Sequence, residues 1–196
     1  MKKISTIIAI TIVVPLFFTL QGCIFVAGAA AGAAGIAVVY DHRKLEQILL
    51  DQRIANTAID SIKADPQLKE DGHINVTSFN RVVLLTGETT TPALRQKAEA
   101  LVHAIPDITR IYNEITIKGP TSSLTRASDA WITAKIKTQM LATKNLQSGT
   151  IKVITENGAV YLMGVVSQNQ AETTVDIARQ VAGVQKVVKI FQYTNR

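Results

Sequence analysis

Thr150 to Val166 reads TIKVITENGAVYLMGVV. Ile151, Val153 and Thr155 alternate with Lys152, Ile154 and Glu156, the period-two pattern of a strand with one buried face. Asn157-Gly158 then reverses the chain. Both residue types accept the positive φ of a two-residue type I′ turn, whose twist suits right-handed strands. Val160, Leu162 and Gly164 lie on the return strand. The pattern occurs a second time at Ile74 to Gly87, INVTSFNRVVLLTG. In both places a V-x-L-x run leads into a glycine, Gly87 and Gly164. The chain therefore carries one module twice, behind an N-terminal leader.

Working outward from the two hairpins gives the same element order in each half. In the first repeat, 45–118, Ile54, Ala58 and Ile62 fall at helical spacing in a helix from Leu45 to about Lys63. The hairpin Ile74–Phe79 and Val82–Thr86 turns at Asn80-Arg81. Thr91-Pro92 opens a second helix, since proline suits a first turn, and Leu94, Ala98, Leu101 and Ile105 line one face. Pro106-Asp107 stops it. Ile108 to Ile117 reads as a last strand with Ile111, Asn113, Ile115 and Ile117 on one side. Residues 119–127, opening Gly119-Pro120-Thr121-Ser122-Ser123, have linker composition. In the second repeat, 128–196, Ser128 or Asp129 caps a helix reaching about Thr143. After the hairpin, Gln168 to Val181 forms a helix with Ala171, Val175 and Ala178 inward. Gly183 ends it, and Val184 to Tyr193 is the final strand. The expected class is α+β: two tandem units of helix-strand-strand-helix-strand, each a small mixed three-stranded sheet packed on two helices. A unit of this size is small for an independent core, so the two are expected to pack together. Gly87 and Gly164 are expected to ease helix-on-strand packing.

The 196 residues carry a net charge of +6, and 47% are hydrophobic. Much of that apolar content sits in the first 40 residues. A basic balance suits nucleic acid or an anionic membrane and does not choose between them. One cysteine excludes an internal disulfide. Met1-Lys2-Lys3 followed by the apolar run Ile4 to Leu20 has the layout of a secretory signal, 1–22. Leu20-Gln21-Gly22-Cys23 resembles the lipobox of bacterial lipoproteins. That resemblance implies cleavage before Cys23, thioether acylation of its sulfur and N-acylation. A plain signal peptide with an unused thiol and a transmembrane anchor are the alternatives. Several acyl chains on one residue give stable anchoring, at about 0.8 kcal/mol per buried CH₂. Ile24 rather than Asp after the cysteine implies, by the lipoprotein sorting rule, the outer membrane. Within the segment 23–44, Ile24 to Tyr40 is rich in Ala and Gly, with Gly28 and Gly32 in a G-x-x-x-G pair. It reads as a spacer near the membrane, or as an inserted or self-associating helix.

The tandem units, the V-x-L-x-G strand and the Gly183-Val184-x-x-Val187 entry to the last strand resemble BON domains. The segments that carry the likeness are Leu20-Gln21-Gly22-Cys23, Ile74-Asn75-Val76-Thr77, Tyr112-Asn113-Glu114-Ile115, Asp129-Ala130-Trp131-Ile132-Thr133 and Thr155-Glu156-Asn157-Gly158. They span nearly the whole chain. The first repeat departs from the family pattern at Arg81, where a glycine is usual, and at Pro106-Asp107. The resemblance to dual-BON outer-membrane lipoproteins implies a non-enzymatic periplasmic role in envelope integrity, enrichment at division sites, and anionic phospholipid binding by the second domain. A protein-interaction adaptor for the outer-membrane assembly machinery and a chaperone-like periplasmic BON protein are the alternatives.

The residues themselves favour the second repeat as the lipid-facing half. From Glu46 to Lys118 there are eight Lys and Arg against ten Asp and Glu, a net of −2; from Ser128 to Arg196 there are eight against four, a net of +4. On a wheel of about 100° per residue, Ile132, Ile136 and Met140 share one face. Trp131, Ala134, Thr138, Leu141 and Ala142 fall opposite, flanked by Lys135 and Lys137. An exposed indole and leucine framed by lysines suit the headgroup layer of phosphatidylglycerol or cardiolipin. In the first repeat, Arg53 and Lys63 match Trp131 and Leu141, so that face is not apolar there. A second reading packs Trp131 between the repeats. No catalytic motif is present, and none for a metal or cofactor. His42, His73 and His103 are scattered. Nucleic-acid binding would need a denser basic patch with stacking aromatics, so none is expected.

Overall fold

The computed structural model describes residues 43–119 and 121–194. The expected leader 1–22, the lipidation site Cys23 and the Ala/Gly-rich segment through His42 lie outside the described residues. From Arg43 onward the chain forms one compact unit. Its first repeat comprises α1 (Leu45–Ala64), α2 (Pro66–Asp71), β1 (Gly72–Phe79), β2 (Val82–Thr89), α3 (Pro92–His103), β3 (Arg110–Asn113) and β4 (Thr116–Ile117). The second comprises α4 (Ser123–Ala142), a short 3₁₀ turn (Ser148–Thr150), β5 (Ile151–Glu156), β6 (Ala159–Val166), α5 (Gln168–Arg179) and β7 (Lys186–Tyr193). The duplicated α+β order is as the sequence predicts.

Each sheet is mixed. β1 pairs antiparallel with β2, Val76 opposite Leu85, and β3 and β4 run parallel to β2 on its other side. β5 pairs antiparallel with β6, Val153 opposite Leu162, and β7 runs parallel to β6 along its whole length. The hairpin turns are built alike. Asn80 and Arg81 have φ of 49° and 65°; Asn157 and Gly158 have 51° and 74°. These positive angles are the type I′ geometry expected of a two-residue hairpin.

The middle strands explain how the halves unite. All eight residues of β2 are buried. Val83 and Leu85 point to their own helices and pack with Ile54, Ala58, Ile62, Leu94, Ala98 and Val102. Val82 and Leu84 point the other way. With Phe79 they form a separate cluster with Tyr161, Met163 and Ile190 of the second repeat. β6 is divided likewise, Val160 and Leu162 packing on Ile132, Ile136, Met140, Ala171, Val175 and Ala178. The unit thus stacks helices, sheet, sheet, helices.

Polar bonds edge this seam. Asn75 Nδ2 donates to Glu156 at 3.0 Å, Asn80 Nδ2 to Gln192 at 2.5 Å and Asn157 Nδ2 to Glu88 at 2.7 Å. Thr121, from the connecting segment, donates to the same buried Glu88, and Lys118 lies 3.8 Å from it. Burial, and then the charge of Glu114, push the Tyr161 hydroxyl up to about 12, so it stays neutral.

Neither Ser128 nor Asp129 caps a helix. α4 begins earlier, at Ser123, inside the segment that reads as linker, and Ser122 caps it by accepting from the Thr125 N–H. Asp129 is buried one face around. Its carboxylate accepts from the Asn157 and Gly158 N–H groups at 2.8 and 2.9 Å. Asp51 does the same in the first repeat, accepting from the Asn80 and Arg81 N–H groups at 2.7 and 2.8 Å and from Ser78 at 2.8 Å. Arg43 pairs with it as well, and its guanidinium lies 4.0 Å from the Phe79 ring centroid. Each first helix therefore grips the turn of its own hairpin through one buried carboxylate.

Three further details differ from the sequence reading. α2 is an added turn: Asp65 accepts from the Gln67 and Leu68 N–H groups, Pro66 sits in its first turn, and Leu68 is buried. The Lys97 ammonium, 2.5 Å away, holds the Asp65 carboxyl below its ordinary value. The last strand of the first repeat breaks between β3 and β4. There the Asn113 side chain accepts from the Ile115 N–H and donates to Glu99. The break turns Ile115 into the core and leaves Ile117 exposed, so the two do not share a face. The repeat glycines answer to strands, not helices. A Cβ on Gly87, at φ 107°, would stand 1.9 Å from the His73 carbonyl oxygen, and one on Gly164 would stand 2.8 Å from that of Thr150.

Replacing Asp129 by Ala strands two N–H groups at a buried turn, and should lower stability by about 2–4 kcal/mol in urea unfolding. Gly87→Ala should cost roughly 3 kcal/mol or more or prevent folding, because backbone must move. Gly119→Ala, with nothing within 4 Å of the added methyl, should leave the unfolding midpoint within error.

Candidate functional site

α4 is amphipathic because its inward positions recur at i and i+4: Ile132, Ile136 and Met140 are buried. Thr133 ties the helix to β5 through a 2.7 Å bond to Thr155. All seven residues singled out from the sequence, Trp131, Ala134, Lys135, Lys137, Thr138, Leu141 and Ala142, are exposed. Trp131 is 54% exposed and Leu141 62%, so the indole is not enclosed between the repeats.

One residue of this face escapes the sequence reading. Leu124 is 80% exposed. It sits seven residues before Trp131, two turns along, on the same side of the helix. The Gly119–Ser123 composition hides it, because a segment read as linker is not placed on a wheel. The signal for it is Ser122, a residue type favoured at helix N-caps, whose hydroxyl accepts from the Thr125 N–H. With Leu124 the exposed apolar side chains extend about 25 Å along the helix, Leu141 standing about 80° around it from Trp131.

Beside this face lies an open cavity of about 480 Å³ between α4 and the hairpins, lined among others by Arg126, Ala130, Lys137, Asn75 and Glu156. Arg126 Nη1 donates to the Thr121 carbonyl at 2.5 Å. Glu156 is half-buried. Burial raises its carboxyl above the ordinary value of 4.5. The bond from Asn75 and the charge of His73 oppose that rise, and the charges of Glu88 and Asp129 add to it.

α1 presents a different surface. Arg53 and Lys63 stand at the positions of Trp131 and Leu141, and Glu46 at that of Leu124. Leu45 and Leu49 are exposed on its first turns, at 62% and 56%. Among the described residues no cluster of three or more His, Cys, Asp or Glu could hold a metal ion. No described helix is long and apolar enough to cross a membrane.

The BON domain model matches twice, over residues 50–119 and 128–195. The chain is 32% identical over 193 residues, 98% of its length and 96% of the relative's, to the outer membrane lipoprotein DolP of Haemophilus influenzae. It is 37% identical over 150 residues, 76% of its length and 75% of the relative's, to the 21 kDa hemolysin of Actinobacillus pleuropneumoniae. The osmotically-inducible protein Y of Escherichia coli is 29% identical over 117 residues, 58% of each chain. With two matched copies accounting for most of its length, the chain belongs to the BON domain family and carries the domain in tandem.

Proposed function

We propose that this chain is a non-enzymatic, lipid-anchored outer-membrane protein facing the periplasm, whose second BON domain docks on anionic phospholipid, phosphatidylglycerol or cardiolipin. The observation that carries the reading is the exposure of Leu124, Trp131 and Leu141 on the outer face of α4, with Lys135 and Lys137 on the same helix. The apolar side chains enter the interfacial layer and the ammonium groups meet phosphates, each contributing about 1 kcal/mol near an anionic surface. The net +4 of the second repeat draws it to such a surface, while the first repeat at −2 is held off. The anchor is Cys23, in the lipobox-like Leu20-Gln21-Gly22-Cys23; the relative named an outer membrane lipoprotein, similar over nearly the whole chain, supports this reading. Support of envelope integrity and enrichment at division sites, where such lipids gather, follow from the same family likeness.

Trp131→Glu places a carboxylate where the indole would enter the headgroups. Co-sedimentation with phosphatidylglycerol vesicles should weaken roughly tenfold or more, with the unfolding curve unchanged because the site is exposed. Leu124→Glu should act in the same direction. Unchanged binding by both variants would remove α4 from the membrane contact.

Glu156 supplies a pH test. Burial holds its carboxyl above the ordinary glutamate value, so it takes up a proton before ordinary glutamates do as pH falls from neutrality. Protonation removes a negative charge beside Arg126 and Lys137. Vesicle binding should therefore strengthen as pH falls toward that range. Glu156→Gln should bind at neutral pH as the wild type does in acid, with a flatter pH profile.

A further inference from the structure

Arg81 occupies backbone that disfavours it. Its φ of 65° is left-handed, and its counterpart in the second repeat is Gly158, at φ 74°. Asp107, at φ 69°, likewise stands where the second repeat has Gly183, at φ 90°. A side chain in this region carries a steric cost that glycine avoids. The two replacements meet. Arg81 Nε donates to the Asp107 carbonyl at 2.6 Å, and Nη2 lies 3.7 Å from its carboxylate. This contact fixes the Arg81 guanidinium at a cleft of about 580 Å³, formed where the first hairpin turn and β3 meet the end of β7.

The cleft is lined by donors. Arg81 and Arg110 bring two guanidinium groups, Gln47 brings an amide and Tyr112 brings a phenol ring. Neither Asp nor Glu is among its lining residues. The Tyr112 hydroxyl accepts from Arg110 Nη1 at 3.3 Å, which leaves its own proton to donate onward. Gln47 Nε2 is buried and has no hydrogen-bond partner among the described residues. A buried amide donor without an acceptor is destabilising unless something supplies one. Guanidinium forks favour carboxylate and phosphate oxygens. The volume falls within the range of small-molecule sites.

We propose that this cleft binds a small organic oxyanion, a sugar bearing a phosphate or carboxylate group. The anionic group sits against Arg81 and Arg110, within reach of the Gln47 amide, and the sugar ring lies against Tyr112. This site is separate from α4 and does not depend on phospholipid docking. It is confined to the first repeat's turn, because Gly158 cannot supply the cation.

Calorimetric titration of the whole chain tests it, with glucose 6-phosphate, glucuronate and uncharged glucose as probes. Both anions should bind saturably and glucose should not. Arg81→Gly restores the residue that the matching turn already carries, so it should fold, yet bind each anion roughly tenfold more weakly. Gln47→Leu removes the unpaired amide; its Tm should hold or rise while affinity falls by a similar factor. No saturable binding of either anion below about 10 mM would overturn the proposal. So would equal affinity in the wild type and both variants, or glucose binding as tightly as the anions.

Discussion

The structure depends on strands that are buried on both faces. β2 and β6 each send alternate side chains to their own helices and the others across the seam. A sheet covered by helices on one face still has one bare side. Leaving Phe79, Val82 and Leu84 in water would forfeit about 1.5–3 kcal/mol for each large side chain. Tyr161, Met163 and Ile190 cover that side in the partner repeat. Neither half therefore completes its core alone, and the second faces of the sheets are committed to each other.

That commitment frees the outer helices. The buried positions of α1 and α4 keep the same spacing, Ile54, Ala58 and Ile62 against Ile132, Ile136 and Met140, because each must fit a similar sheet. Their exposed positions answer to solvent or a partner, so Arg53 and Lys63 can stand where Trp131 and Leu141 do. The buried aspartates belong to the constrained set. Asp51 and Asp129 saturate the N–H groups of their hairpin turns, which leaves those turns little freedom of approach.

The duplicated order, the cores and the exposed α4 residues were legible because each rests on periodicity or on a turn dipeptide. Other features were hidden for physical reasons. Asp129 looks like a cap when read locally; its partners lie in a turn 28 residues on, and only the repeated Asp at position 51 hints at the shared task. Leu124 was masked by neighbours of linker type. The bend at Glu114-Ile115 depends on bonds that Asn113 makes to α3, which no local pattern encodes. Gly87 and Gly164 stand out in both strands, but their reason is the carbonyl of a facing strand.

The seam has one more consequence. Val82 and Leu84 of one copy occupy the strand positions that Ala159 and Tyr161 occupy in the other. Each turn also sends its asparagine to a strand end of the opposite copy. Two like surfaces that meet face to face in this way make the contact of an isologous dimer. A short tether between them makes the encounter intramolecular, at an effective concentration on the order of millimolar. A single such unit, expressed without its sibling, would regain that surface only by finding another molecule, and its folding would then vary with dilution.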